Sequence, residues 1–165
     1  MKIIRVESIP VLVPLKKGLT TKTAHGEHID SPYVIVRIHT DEGLVGLGEA
    51  TLAPRWSGET SASCVAAIEQ IFDPLLAQRD PTQINKLSTL IDQAMVHNPF
   101  TKAAVEMALW DIAGKAANLP VYELLGGSFH DQVPIKMVVG AFPVSQSITL
   151  AERFLDWGVS SLKVK

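Results

Sequence analysis

Apolar residues recur along the chain with two distinct periods. Over residues 33–40 and again over 44–50 they alternate with polar ones, and Asp41-Glu42-Gly43 lies between, which predicts two strands joined by a hairpin turn. Residues 2–15 alternate too and are rich in Ile and Val, but Pro10 and Pro14 remove ladder donors and assign this strand to a sheet edge. The three together predict an antiparallel meander. From residue 61 the period becomes helical, with Val65, Ile68, Ile71-Phe72 and Leu75-Leu76 over 61–77, then Ile84, Leu87, Leu90-Ile91 and Met95 over 81–96. A third helix opens at Asn98, expected to cap it, and Pro99; Ala103, Met107, Trp110 and Gly114 share one face, and Lys115, Asn118 and Pro120 close it. Residues 16–31 and 51–59 show no period and many turn formers, so both read as loops.

After Asp131 the pattern becomes strand (133–140), helix (145–157) and strand (159–165), one β-α-β unit of the parallel type. Alone, its strands leave hydrogen-bonding edges open, and the natural completion is a (β/α) barrel. The fold class is therefore α+β, a three-stranded antiparallel meander with a helical bundle over residues 1–127, followed by the first β-α-β of a (β/α) barrel over 128–165.

Composition narrows the function classes. With 165 residues, 47% of them hydrophobic and 19% charged, the chain suits one ordinary core or two small ones. Fifteen basic residues against seventeen acidic ones give a charge of -2, which offers no electrostatic basis for binding nucleic acid or an anionic membrane. No apolar run approaches the roughly 20 residues that span a bilayer. The single Cys64 has no internal partner, and charges interrupt the first seven residues where a signal peptide needs an apolar core, so the cytoplasm is the expected compartment.

Two places carry candidate chemistry. Ser161, Lys163 and Lys165 alternate with Leu162 and Val164, so the two lysines share a strand face. On a sheet with one wet face they are solvated charges; in a barrel strand whose Leu162 and Val164 pack outward on helices, they enter the barrel interior. Their ammonium groups would repel by about 2.4 kcal/mol at about 7 Å and an effective dielectric of about 20. The loop at 51–59 delivers Arg55 and Trp56, and the loop at 16–31 delivers His25. Trp56 either covers the core beneath its loop or forms part of a lid over a ligand. The carboxylates Glu49, Glu59, Asp73, Asp80, Asp92, Glu106 and Asp111 lie on unrelated elements, and the five histidines have no ligand spacing, so no metal site is assigned.

The run from Val105 through Glu106, Ala108-Leu109, Asp111-Ile112, Gly114-Lys115, Pro120-Val121 and Leu124-Leu125-Gly126 resembles the signature of the mandelate racemase and muconate lactonizing enzyme family, within the enolase superfamily. Thr101 stands where that family is expected to carry Ala. Pro32 through Gly48-Glu49-Ala50 resembles the family's amino-terminal sheet, and Leu162-Lys163-Val164-Lys165 its catalytic lysine pair. The resemblance implies an enzyme that removes the proton alpha to a carboxylate through an enediolate stabilised by Mg²⁺, such as a muconate cycloisomerase or a racemase or epimerase. It makes Lys165 the base, Lys163 its electrostatic partner, and His25, Arg55 and Trp56 substrate-binding residues. It also implies a small carboxylate substrate and a homo-oligomer. The metal ligands would lie on strands beyond residue 165, so these residues alone are expected to be inactive. The alternative is a stand-alone capping domain with a binding or oligomerisation role.

Overall fold

The structure, a computed structural model, describes residues 1–16, 18–24 and 26–165. In chain order its elements are β1 (Ile3–Pro14), β2 (Thr21–Thr23), β3 (Gly26–His28), β4 (Asp30–Thr40), β5 (Val45–Thr51), α1 (Pro54–Ser57), α2 (Ser61–Ala67), a π turn (Ile68–Phe72), α3 (Asp73–Leu76), α4 (Ile84–Ala94), α5 (Pro99–Ala117), α6 (Val121–Leu124), β6 (Lys136–Val139), α7 (Val144–Asp156) and β7 (Ser161–Val164). They form two compact units, one of Met1–Val13 with Pro32–Ser128, the other of Pro14–Ser31 with Phe129–Lys165. None of the described helices is long and apolar enough to cross a membrane.

The first unit is a sheet in the order β1-β4-β5 with helices packed on one face. In β4, Val34, Val36 and Ile38 are buried, and across the antiparallel ladder they stand opposite Ala50, Gly48 and Gly46 of β5. Three large side chains thus face three small ones, and the resulting trough over β5 receives α5. The approach is close enough that a Cβ on Gly48 would run into the carbonyl of Ala104, and one on Gly46 into that of Ala108. Two side chains of α5 then close the outer edge of β5: Asp111 accepts from the Leu47 amide at 2.8 Å, and Lys115 donates to the Val45 carbonyl at 2.7 Å. These two residues also pair with each other at 2.7 Å, so the edge strand is covered by charges that neutralise one another.

The face that α5 buries differs from the one its sequence suggested. Thr101, Ala104, Val105, Ala108, Leu109, Ile112 and Gly114 are buried, whereas Met107 is 46% exposed. Its charged side chains Lys102, Glu106, Asp111 and Lys115 are spread around the circumference, so its period alone did not select a face; the glycines of β5 do, by admitting only the side that carries Ala104 and Ala108. Its start also differs from expectation. Asn98 has a left-handed backbone and makes no capping bond, its side-chain Nδ2 donating instead to the Val96 carbonyl at 3.2 Å. At the other end Asn118 closes the helix in the left-handed conformation, as expected. The helical run over 61–77 contains a π turn before Pro74, whose missing N–H takes one donor out of the regular ladder.

The second unit has its own core of Val139, Leu150, Phe154 and Val159. Strands β6 and β7 pair in parallel, with Met137 opposite Leu162 and Val138 opposite Lys163, and α7 connects them. Residues 16–31, expected as an irregular loop, instead contain the antiparallel hairpin β2–β3. Its strands are three residues each and polar, too short to display an apolar period. The hairpin is tied down by the Lys22 carbonyl, which accepts from the Ala141 amide at 3.0 Å.

Candidate active site

Strand β7 sets the direction of its side chains through the core it covers. Leu162 packs against the second core, which puts Ser161 and Lys163, one residue to either side, on the opposite face. The ladder continues past the strand, since the Lys165 amide donates to the Val139 carbonyl at 3.0 Å, and the alternation carries Lys165 to the face of Lys163. Both lysines are exposed. Val164, expected to pack with Leu162, is 74% exposed, because α7 covers Leu162 and leaves its neighbour bare. The pair lies at the carboxyl end of a parallel strand, away from the helix layer, with no described carboxylate bound to either amine.

Arg55 and Trp56 sit on the single turn α1, in the first unit. Pro54 starts this turn with a preset φ, and Gly58 ends it in the left-handed conformation at φ 78°. Trp56 is 84% exposed and does not cover the core, which removes that reading of it. His25 lies outside the described residues.

Sequence reasoning missed the buried carboxylate that follows this turn. Glu59, directly after α1, is only 2% exposed, and its carboxylate accepts from the Phe100 amide at 2.9 Å, the Thr101 amide at 2.9 Å and the Thr101 hydroxyl at 2.6 Å. A side chain 41 residues upstream therefore caps the longest helix, supplying negative charge where the free amides and the helix dipole favour it. Thr101, the departure from the family pattern, is the hydroxyl donor. Its one local signal was the unusual Thr itself; the partner was unreadable, since a lone Glu before a capping Thr60 resembles any surface carboxylate.

Cys64 borders the same cluster and is fully buried. Burial pushes its thiol up, a hydrogen bond with Thr101 opposes this by less, and the nearby Glu59 carboxylate adds to the rise. The thiolate is thus disfavoured at neutral pH. A disulfide-exchange reagent at pH 7.5 is expected to leave the native protein unlabelled and to modify Cys64 at once in denaturant; stoichiometric labelling without denaturant would contradict the packing of this cluster.

Residues 4–126 match the family model described as Mandelate racemase / muconate lactonizing enzyme, N-terminal domain. The chain belongs to the mandelate racemase / muconate lactonizing enzyme family. Among curated relatives, N-succinyl-L-Arg/Lys racemase of Bacillus cereus is 30% identical over 165 residues, covering 100% of this chain and 44% of its own. Its crystal structure superposes with a TM-score of 0.94. A chloromuconate cycloisomerase of Pseudomonas putida is 31% identical over 90% of this chain and 39% of its own length. A dipeptide epimerase of Enterococcus faecalis, solved with Mg and the dipeptide L-Leu-L-Tyr, is 33% identical with a TM-score of 0.91 over 100% of this chain and 46% of its own. The chain thus spans less than half the length of these relatives. Its sheet-and-helix unit has the fold of the family's amino-terminal capping domain. Among the described residues of this family member, no three His, Cys, Asp or Glu side chains gather as metal ligands.

Proposed function

We propose that residues 1–165 are the amino-terminal part of an enzyme that moves a proton to or from the carbon alpha to a carboxylate through an enediolate, as a racemase, epimerase or cycloisomerase does. The observation that carries this reading is the pair Lys163 and Lys165 on the face of β7 turned away from its helix, at the carboxyl end of a parallel strand pair. The substrate class follows the relatives: a small carboxylate such as an N-acylated amino acid, a dipeptide or a muconolactone.

In this reading Lys165 presents a lone pair on Nζ to the substrate's α-hydrogen. The C–H bond breaks, its electrons enter the carboxylate to give an enediolate, and the ammonium of Lys165 holds the proton; in a racemase or epimerase a proton then returns to carbon, and in a cycloisomerase acting on a lactone the enediolate instead expels the ring carboxylate from the β-carbon. Lys163 keeps a positive charge on the same face, where it favours the dianionic intermediate over the substrate monoanion. Arg55 offers a planar fork that matches a carboxylate, and the exposed indole of Trp56 offers an apolar cover. Residues 128–165 begin the barrel in this proposal. Magnesium is bound by the Enterococcus faecalis relative; the described residues of this chain do not form a ligand set for it, and no step above passes through it.

The test is isomerisation of a panel of these carboxylates by the full-length protein containing this chain, supplied with Mg²⁺ and followed by optical rotation and proton NMR. At least one class should be converted, with loss of conversion on chelation, and the 165-residue chain alone should be inert. A folded, metal-supplied full-length protein that converts none of them would contradict the proposal.

A further inference from the structure

Gln146, Thr149, Leu150 and Arg153 recur at three and four residues along α7 and so form one stripe of that helix. The chain leading into β2 runs opposite the stripe, and the two border a cavity of about 210 Å³ within the second unit. Leu150 and Phe142 make its apolar side, and Gly18 and Thr20 its far wall. Helix α7 lies on the core side of the strand pair, so the cavity and the two lysines of β7 occupy opposite faces of that sheet. Its volume falls below the roughly 300–1,000 Å³ of drug-sized sites, which limits an occupant to a small metabolite.

The polar groups of the rim divide into donors at one end and acceptors at the other. Arg153 is the charged residue among them, and no described carboxylate pairs with it. Its guanidinium carbon stands 4.9 Å from the centroid of the Trp157 ring, and a Cβ on Gly18 would come within 3.3 Å of Nη1. An aromatic face and a stretch of backbone thus restrict the fork before any ligand arrives. The two hydroxyl protons are already committed: Thr20 donates to the Glu27 carboxylate at 2.9 Å and Thr149 to the Ser145 carbonyl at 3.2 Å, so both threonines offer a ligand lone pairs only. Phosphate, which brings acceptors on every side, matches the fork and nothing else. A molecule with a carboxylate, an adjacent ammonium and an aliphatic body matches all three parts, and the Glu27 carboxylate behind Thr20 adds negative charge on the ammonium's side. We propose that this cavity binds a free α-amino acid with an aliphatic side chain: Arg153 takes the carboxylate, Thr20 and Thr149 the ammonium, and Phe142 with Leu150 the side chain.

The experiment is isothermal titration calorimetry of the full-length protein with L-leucine, with L-leucinamide, which lacks the carboxylate, and with 4-methylpentanoate, which lacks the ammonium. The wild type should bind one leucine per chain and each truncated analogue at least about tenfold more weakly, the loss expected for one charge-assisted bond. Arg153→Gln should weaken leucine about tenfold and erase its preference over leucinamide. Thr20→Val should erase the preference of leucine over 4-methylpentanoate instead. Should Arg153→Gln prove unfolded, Arg153→Lys takes its place, keeping the charge and losing the fork, with a severalfold weakening of leucine expected. The absence of saturable heat with leucine overturns the proposal, as does an affinity for leucine that neither Arg153 variant alters. Binding lost in Lys165→Ala but kept at wild-type strength in Arg153→Gln overturns it too, by placing leucine on the lysine face.

Discussion

Replacing Lys165 by alanine in the full-length protein should lower turnover of its carboxylate substrate by at least about 10³-fold, the order expected for loss of a general base with no neighbour to take its place. Lys163→Ala should reduce turnover less, by roughly thirtyfold, because it removes a charge acting through space worth about 2 kcal/mol rather than the proton acceptor itself. The separation rests on position: Lys165 continues the parallel ladder at the strand's carboxyl end, while Lys163 lies two residues back on the same face, opposite Val138. Equal losses would mean the lysines act as one unit, and a larger loss in Lys163→Ala would assign the base to Lys163.

Gly48→Ala should be the most damaging small substitution in the first unit, lowering its stability by about 4 kcal/mol, above the usual range for an inserted methyl because the obstacle is backbone. The new Cβ meets the Ala104 carbonyl, and α5 cannot retreat freely, since Asp111 and Lys115 hold it to Leu47 and Val45 of the same strand. Reduced freedom of the unfolded chain returns at most about 1 kcal/mol. Against a total of about 5–15 kcal/mol, much of the margin is gone, and thermal unfolding should show a fall of roughly 10 °C. A melt within a degree or two of wild type would show that helix and strand are not in backbone contact at Gly48. An alanine at Gly58, where no atom lies within 4 Å of the new Cβ, serves as a contrast, its strain coming only from φ 78°.

Period carried the sheet and the helices: the alternation at Val34, Val36 and Ile38 gave both the strand and its buried face, and Ile84, Leu87 and Ile91 gave those of α4. It failed where a segment has no single polar side or no length. Helix α5 carries Lys102, Glu106, Asp111 and Lys115 spread around its circumference, so the face of Ala103, Met107, Trp110 and Gly114 looked suited to the core, and the glycines of β5 selected that of Ala104 and Ala108 instead. The hairpin β2–β3 offers three polar residues per strand, too few to alternate visibly. Glu59 escaped for another reason. Its partners are backbone amides, which every residue has, so nothing in their identity announces that a carboxylate will be drawn to them. The lysine pair was legible as a pattern, and its orientation relative to the helix layer came from Leu162 and the second core. The family signature from Val105 to Gly126, by contrast, was readable without any structure.

Proton exchange between Lys165 and the substrate's α-carbon, as proposed above, is read directly by α-deuterium incorporation. The full-length enzyme, supplied with Mg²⁺ and substrate in deuterium oxide, is followed by proton NMR at the α-position, beside a Lys165→Ala variant with an unchanged melt. The wild type should wash deuterium into that position in both substrate and product, and the variant should retain the α-proton signal throughout. Deuterium entering at the wild-type rate in Lys165→Ala would contradict the claim and return the two lysines to the role of solvated charges on an exposed strand.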